Sequence, residues 1–205
     1  MAVTRSTAPD GAGPVRSQPR TGSPDPGALA SIVPPVVVRP VRPEEHDVLG
    51  ELTVAAYRAL ADGDDCALNP DYLVNLRDVA RRAAEVPVLV AVDGRERVLG
   101  GVTYVPGPGT PYSESEAPDE AGIRMLAVEP RLQGQGIGRL LVAACLARAK
   151  AANRRRLVLL TRPSMVAAQR LYAPLGFQRA PARDWEFLPG EWLLGYEVDL
   201  TDGVP

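Results

Sequence analysis

The sequence GIRMLAVEPRLQGQGIGRLL, residues 122–141, is the most informative part of this 205-residue chain. Its first part is rich in residues that favour extended structure, and Glu129-Pro130 predicts the end of that strand. From Ile137 onward, the apolar residues recur at the spacing of one helix face. Three glycines therefore fall in the turn between strand and helix and in the first helical turn: Gly134, Gly136 and Gly138.

A glycine-rich turn at this place can hold an anion. The first backbone N–H groups of a helix have no partner within the helix, and the helix dipole adds partial positive charge there. Glycine lacks the Cβ atom that would keep a ligand away from those groups. Because a strand leads directly into the turn, we expect a fixed binding site for a pyrophosphate.

Spacing separates the glycine-rich phosphate sites from one another. A P-loop requires Lys followed by Ser or Thr after its last glycine, whereas Arg139-Leu140 follows Gly138. A dinucleotide fingerprint, counted from Gly134 and Gly136, requires a third glycine where Arg139 stands. The pattern Gln133-x-x-Gly136-x-Gly138 remains, and the alternative is a glycine-rich turn that binds nothing.

A second motif lies one helix and one strand after the glycine loop. It reads Ala168-x-x-Leu171-Tyr172-x-x-Leu175-Gly176-Phe177. On its own, the pattern predicts an amphipathic helix that Gly176 ends, followed by an aromatic core residue. Pro174 disfavours helical geometry at the residue before it, which places Tyr172 in the last helical turn.

Together, the two motifs resemble the acetyl-CoA signature of the GNAT superfamily of acyl-CoA-dependent N-acyltransferases, in its bacterial form. The resemblance covers about residues 36–200. It implies an α/β (α+β) fold with a mixed central β-sheet flanked by helices. In that fold the fourth and fifth strands splay apart and admit the pantetheine arm of acetyl-CoA, the implied co-substrate.

By position, the resemblance also implies site residues. The backbone of Leu126, Ala127 and Val128 would bind the pantetheine arm, and Tyr172 would be the general acid for the departing thiolate. The pyrophosphate would lie on Gln133, Gly134, Gln135, Gly136, Ile137, Gly138 and Arg139. Relatives often carry Asn where this chain has Met165, which cannot make the amide contact to the pantetheine arm.

Transfer to an amine also requires a base, because an ammonium group must lose a proton before it can attack a thioester. Glu120, at the start of the glycine-loop strand, is the first candidate and Glu116 the second; solvated loop acids are the alternative for both. Loops 61–70 and 106–119 are predicted to form the acceptor mouth. Their acids favour a cationic primary amine, on a small molecule or a peptide: Asp62, Asp64, Asp65, Glu114, Glu116 and Asp119.

Composition excludes several other classes of function. A net charge of −2 and a pI near 5.5 do not favour binding to nucleic acid or to an anionic membrane. No apolar run reaches membrane-spanning length, and the N-terminus lacks the apolar core of a signal peptide, so we expect a cytoplasmic protein. One histidine and two cysteines form no familiar zinc spacing, and no metal is predicted.

The rest of the chain predicts one domain behind a tail. Residues 1–35 are rich in Pro, Gly, Ser and Thr without hydrophobic periodicity, which predicts a disordered tail. Residues 36–205 are predicted to form a single N-acetyltransferase domain with the order β-α-α-β-β-β-α-β-α-β. The second helix is predicted over about 71–84, a hairpin over 86–92 and 98–105 with its turn at Asp93-Gly94, and the closing strand over 192–198. Two other functions stay open: a catalytically inactive GNAT-fold module that binds acyl-CoA as a sensor, and a non-enzymatic homodimerisation domain.

Overall fold

The computed structural model describes residues 35–60 and 69–201. All but the last residue of the predicted tail at 1–35 lies outside these ranges, so the tail and the domain boundary at residue 36 stay predictions. Asp62, Asp64 and Asp65 of the predicted acceptor mouth also lie outside them.

The described residues form eight strands and five helices. The strands are β1 Val37–Pro40, β2 Val88–Val92, β3 Val98–Val105, β4 Glu120–Val128, β5 Arg156–Thr161, β6 Gln178–Arg179, β7 Trp185–Leu188 and β8 Glu191–Asp199. The helices are α1 His46–Leu60, α2 Pro70–Arg77, α3 Val79–Glu85, α4 Ile137–Ala151 and α5 Val166–Tyr172.

The strands form a mixed sheet in the order β1-β2-β3-β4-β5-β8-β6, with β7 paired to β8. Only the pairing of β4 with β5 is parallel among the described strands. Helices cover both faces of the sheet: along β2, Leu89 and Ala91 pack in the cluster that contains Leu141 of α4, whereas Val88 and Val90 pack with Leu49 of α1. This arrangement confirms the predicted α/β fold with a mixed central sheet.

β4 separates from β5 in the middle of the sheet. Ile123 and Leu159 form the last parallel pair, although both strands continue beyond it. Two residues of β4, Met125 and Leu126, lie opposite the single residue Val102 of β3, which is a β-bulge. Met125 has a φ of +51°. Such a bulge bends its strand and increases the local twist. The bulge therefore accompanies the opening of a wedge between two adjacent strands of one sheet.

The second predicted helix, at residues 71–84, is present but divided at Asp78. The carboxylate of Asp78 accepts a hydrogen bond from the backbone N–H of Arg81, so it caps α3 at the point where α2 ends. The buried guanidinium of Arg82 donates to the carbonyl oxygens of Asn75 and Asp78, at 2.5 and 3.3 Å. These contacts fix the angle between the two short helices.

The C-terminal part contains more strands than predicted. The closing strand, predicted at 192–198, is β8, and two further strands, β6 and β7, pair with it. These strands are two and four residues long, which is too short for a clear alternation of apolar and polar residues, so the sequence did not predict them. With α2 and α3 counted as one helix, all ten predicted elements are present in the predicted order.

Candidate active site

The glycine loop after β4 contains two residues with a positive φ, Gly134 at +79° and Gly136 at +86°. Gly136 is the N-cap of α4. A Cβ atom on Gly136 would meet no atom within 4 Å, so the space beside it is open. Residues 133–136 are exposed. The N-terminus of this 15-residue helix is therefore accessible to an anion, as a dipole-based site requires.

Gly138 has a different role from Gly136. A Cβ atom on Gly138 would lie 3.2 Å from Cδ2 of Leu171 and 3.8 Å from Cγ2 of Val128. This glycine therefore lets the first turn of α4 approach both α5 and the end of β4. The close approach brings the two sequence motifs to the walls of one cleft.

That cleft has a volume of about 380 Å³. Nine of the ten residues predicted to hold a cofactor line it: Leu126, Ala127, Val128, Gln133, Gly134, Gly136, Ile137, Gly138 and Arg139. Gln135 does not line it. The opposite wall comes from α5 and the turn after it, through Ala167, Ala168, Leu171 and Pro174. The structure thus brings the predicted residues together, while their contact with a cofactor stays a prediction.

Arg170 also lines the cleft, although neither motif pattern includes it. It lies three residues after Ala167, on the helix face that carries the second motif, and helical spacing from that motif could have found it. With Arg139 it supplies a second guanidinium beside the glycine loop. Guanidinium groups match phosphate geometry well because they present several donors in one plane.

Tyr172 ends α5 and is 5% exposed. Its ring centroid lies 5.6 Å from that of Phe177 and 6.0 Å from that of Tyr196. Burial raises the pKa of the Tyr172 hydroxyl well above its usual range, and Tyr196 raises it further. The hydroxyl is therefore protonated at neutral pH and able to donate. Its role as general acid stays a prediction.

A narrower pocket of about 70 Å³ lies where β4 and β5 separate. Its lining residues come from α1, α2, β4, β5 and β8 and from the connections next to them: Tyr57, Tyr72, Glu114, Ile123, Arg124, Met125, Leu160, Thr161, Arg162, Met165 and Leu193. Met125 of this pocket directly precedes Leu126 of the cleft in β4, and Tyr57 directly follows Ala56 of the cleft in α1, so the linings of the two cavities are chain neighbours in both elements. Met165, at the N-cap of α5, accepts a hydrogen bond at its sulfur from Thr161. We name this cavity the inner pocket.

Two tyrosines, Tyr57 from α1 and Tyr72 from α2, line the inner pocket. Burial raises the pKa of Tyr57 well above its usual range, and the nearby Tyr72 and Tyr172 raise it further. The rings of Tyr57 and Tyr72 meet edge to face, with centroids 6.2 Å apart. Tyr57 and Tyr72 were missed because they flank a polar loop in sequence and belong to no motif.

Glu114 points into the inner pocket beside Arg124. The Nε atom of Arg124 lies 3.1 Å from Oε1 of Glu114. The backbone of Glu114 lies at the surface, but its side chain turns inward and is 16% exposed. Burial raises the pKa of this carboxyl, and the neighbouring Arg124 only partly offsets that effect.

The environment of Glu120 does not support its assignment as the base. Its side chain is 2% exposed, and Oε1 accepts hydrogen bonds from Arg183 and Arg156 at 2.5 and 3.5 Å, while Oε2 accepts one from Ser115. Burial opposes its ionisation, but the bonds from Arg183 and Ser115 outweigh burial and hold the pKa below its usual range. At about 3.3 Å per strand residue, Leu126 lies roughly 20 Å along β4 from Glu120.

The other acids of the predicted acceptor mouth also differ in their surroundings. Asp119 accepts a hydrogen bond from Nε of Arg155 at 2.6 Å, at the same end of the sheet as Glu120. Glu116 is exposed and does not line the inner pocket. Among the described acids of the mouth, Glu114 alone faces the wedge between β4 and β5.

Within residues 35–60 and 69–201, no group of three or more His, Cys, Asp or Glu side chains could hold a metal ion. Cys145 is buried in the core, where burial raises the pKa of its thiol to about 12. No helix in the described part of the chain is both long enough and apolar enough to cross a membrane.

Comparison with protein families matches residues 53–177 to the acetyltransferase (GNAT) family. This range begins in α1 and ends with Phe177 of the second motif, so it contains most of both cavities. No curated protein matches the sequence.

Solved structures provide an independent comparison of the fold. An acetyltransferase of the GNAT family from Staphylococcus aureus Mu50 is 13% identical, with a TM-score of 0.63 over 82% of this chain and 100% of that one. PaiA N-acetyltransferase from Thermoplasma acidophilum, solved in complex with coenzyme A, is 13% identical, with a TM-score of 0.60 over 80% and 99%. YncA from Salmonella typhimurium, solved with its cofactor acetyl-CoA, is 18% identical, with a TM-score of 0.56 over 83% and 97%. At these identities the likeness establishes a common fold.

Proposed function

Because this chain belongs to the acetyltransferase (GNAT) family, we propose that it transfers an acetyl group from acetyl-CoA to a primary amine. The family membership confirms the resemblance that the two motifs predicted. One observation carries the proposal: the glycine loop, the separated end of β4 and the helix of the second motif line one cleft.

The cleft supplies the groups that acetyl-CoA needs. The open N-terminus of α4 and the side chains of Arg139 and Arg170 would hold the pyrophosphate and its neighbouring phosphate. Beyond Ile123, β4 has no described pairing with β5, which leaves backbone groups of Leu126 to Val128 for the amides of the pantetheine arm. An extended chain can then bind as strands do, through main-chain hydrogen bonds.

The chemistry requires a polarised carbonyl and a proton for the departing sulfur. A backbone N–H group at the separated end of β4 would donate to the thioester oxygen as negative charge develops there. The buried, protonated hydroxyl of Tyr172 would donate its proton to the thiolate. Both groups belong to elements that line the cleft or end beside it.

We propose that the acceptor is a small molecule or peptide that carries a primary amine. The named relatives that were solved with coenzyme A or acetyl-CoA support the cofactor. A cationic acceptor, a homodimer and a cytoplasmic location stay predictions, as does the proposed absence of nucleic-acid, membrane and metal partners.

Two measurements on the full chain test the proposal. Calorimetry with acetyl-CoA should detect binding, and acetyl-CoA should raise Tm because it binds the native state. Release of free thiol should then depend on an amine from a panel of polyamines, aminoglycosides and peptides. Binding without release across the panel would favour the acyl-CoA sensor, and no binding at millimolar acetyl-CoA would contradict the cofactor assignment.

A further inference from the structure

We propose that Glu114 is the catalytic residue that receives the acceptor ammonium group in the inner pocket and takes its proton. This inference rests on the proposed acetyl transfer and adds the base that it lacks. It assigns to one side chain both the recognition of a primary ammonium group and its activation.

The position of Glu114 in the inner pocket favours a role as the base. Glu114 contributes the only carboxylate among the described residues that line the inner pocket. That pocket adjoins the cofactor cleft at Met125 and Leu126, where β4 leaves β5. A nucleophile activated there stands next to the place where the thioester would end. Proximity of this kind is required, since reacting atoms must come within about 3–3.5 Å.

The chemistry of the pocket walls is the second argument. The rings of Tyr57 and Tyr72 form an aromatic wall beside Glu114. Aromatic faces attract an ammonium group, and a carboxylate gives it a charged hydrogen-bond partner. The Nε atom of Arg124 lies 3.1 Å from Oε1 of Glu114 and so fixes the carboxylate within the pocket.

Proton affinity is the third argument, and it agrees with the geometry. Burial raises the pKa of Glu114 despite Arg124, whereas the pKa of Glu120 is held below its usual range. A base must accept a proton readily, and Glu114 is better suited to that task. The charged and titratable groups that face or flank Glu114 are Tyr57 from α1, Tyr72 from α2, Arg124 from β4, Arg162 after β5, and Glu116 and Arg183 in the adjoining surface cavity.

The proton balance of the reaction is complete with these residues. One proton moves from the acceptor ammonium nitrogen to Glu114 and then to water, which leaves a lone pair on nitrogen. That pair forms the C–N bond as the C–S bond breaks. The second proton lost by nitrogen replaces the one that Tyr172 gives to the sulfur. The products are the N-acetyl amide, free thiol and one proton released to solvent.

Nuclear magnetic resonance of the full-length, ¹³C-labelled protein tests the proposal without a known acceptor. The Glu114 carboxyl signal is assigned with Glu114→Gln and titrated with coenzyme A present. We expect a midpoint above the ordinary value of 4.5. Adding n-propylammonium chloride should lower that midpoint, because a bound cation favours the charged carboxylate. Sodium chloride at equal ionic strength should not lower it as far.

Kinetics gives the second test, with any amine that the panel identifies. Glu114→Gln should lower kcat/KM by about 10²–10⁴-fold and remove the rise of kcat/KM with pH on the acid side. Glu85→Gln on the surface of α3 is the matched removal of one carboxylate and should keep that rise. Glu116→Gln tests the other candidate base on the same loop. Tm of each variant shows whether the fold is intact.

Two results would overturn the proposal. The first is a Glu114 midpoint that n-propylammonium moves no more than sodium does. The second is a Glu116→Gln variant that loses the acid-side rise while Glu114→Gln keeps it. Neither result affects acetyl-CoA binding to the cleft, so failure of this inference is distinguishable from failure of the proposed function.

Discussion

A Cβ atom on Gly138 would lie 3.2 Å from Cδ2 of Leu171, so the helix that starts at the glycine loop packs directly on the helix that ends at Tyr172. The two sequence motifs therefore depend on each other in space. A glycine at position 138 is required by this contact between helices, whereas the glycine at 136 is required by its backbone conformation.

Gly138→Ala should show this dependence as a coupling energy with Leu171→Ala. In the native background the added methyl crowds Leu171 and offsets the gain of about 0.5–1 kcal/mol expected when alanine replaces glycine in a helix. In the Leu171→Ala background the crowding disappears and the same change should stabilise the protein. Urea unfolding of the four proteins gives the coupling, expected at about 1 kcal/mol. Strict additivity would contradict the contact.

Gly136→Val should weaken acetyl-CoA binding by more than about tenfold, or 1.4 kcal/mol. A branched side chain would occupy the open space at the N-terminus of α4 and resist a φ of +86°. Gly190→Val is the matched control, because Gly190 has a φ of +81°, an equally open Cβ position and a place in the β7–β8 turn. Calorimetry should find normal affinity in that control. Normal affinity in Gly136→Val would mean that the pyrophosphate binds elsewhere.

Tyr172→Phe should keep acetyl-CoA affinity and lose most of the turnover, since the change removes only the hydroxyl. We expect thiol release to fall about 10²-fold or more, within the range of general acid catalysis. Tyr104→Phe removes a second buried hydroxyl, in a residue that lines neither cavity, and should leave kcat unchanged. Native turnover in Tyr172→Phe would remove Tyr172 from the mechanism.

Glu120→Gln should lower stability in a manner that depends on pH. The pKa of Glu120 in the folded state lies below its ordinary value of 4.5, so the ionised carboxylate stabilises the fold above that value. The contribution is lost as pH falls through the folded pKa. At neutral pH we expect a loss of about 1–3 kcal/mol, which should shrink in acid. Chemical unfolding at several pH values measures this loss, and Glu85→Gln is the exposed control.

The free energy of unfolding of Glu120→Gln and that of the native protein should differ less in acid than at neutral pH. If the difference stays constant, the bonds from Arg183 and Ser115 do not depend on the charge of Glu120. The same variant also tests the alternative base. If Glu120→Gln retains acetyl transfer at neutral pH, Glu120 acts in folding and not in catalysis.

The strands and helices with long periodic patterns could be predicted from the sequence. The glycine loop gave the start of α4 at Ile137, because a run of glycines ends where regular helical spacing begins. Residues 86–92 and 98–105 were predicted as a hairpin, since Asp93-Gly94 marks the turn, and the structure pairs β2 with β3 antiparallel. Signals of this kind are local and do not depend on the rest of the fold.

Features that depend on tertiary contacts could not be predicted. Nothing in the sequence around Asp78 marks the end of one helix and the cap of the next, because Asp is tolerated within helices as well. The inner pocket combines Tyr57, Tyr72, Glu114 and Arg124, which lie on separate segments and meet only in the folded chain. Glu120 was the first candidate for the base because it begins the glycine-loop strand, but that strand end faces Arg183 and Arg156.

The wedge between β4 and β5 also has a consequence for cooperativity. In the described part of the chain, only four register pairs connect the half of the sheet that contains β1–β4 with the half that contains β5–β8, from Glu120 with Arg156 to Ile123 with Leu159. Sub-global opening follows such boundaries, so native-state hydrogen exchange should divide this sheet into two units of different protection. A ligand bound in the wedge would connect the two halves of the sheet. The backbone amides of both halves would then show the same protection against hydrogen exchange.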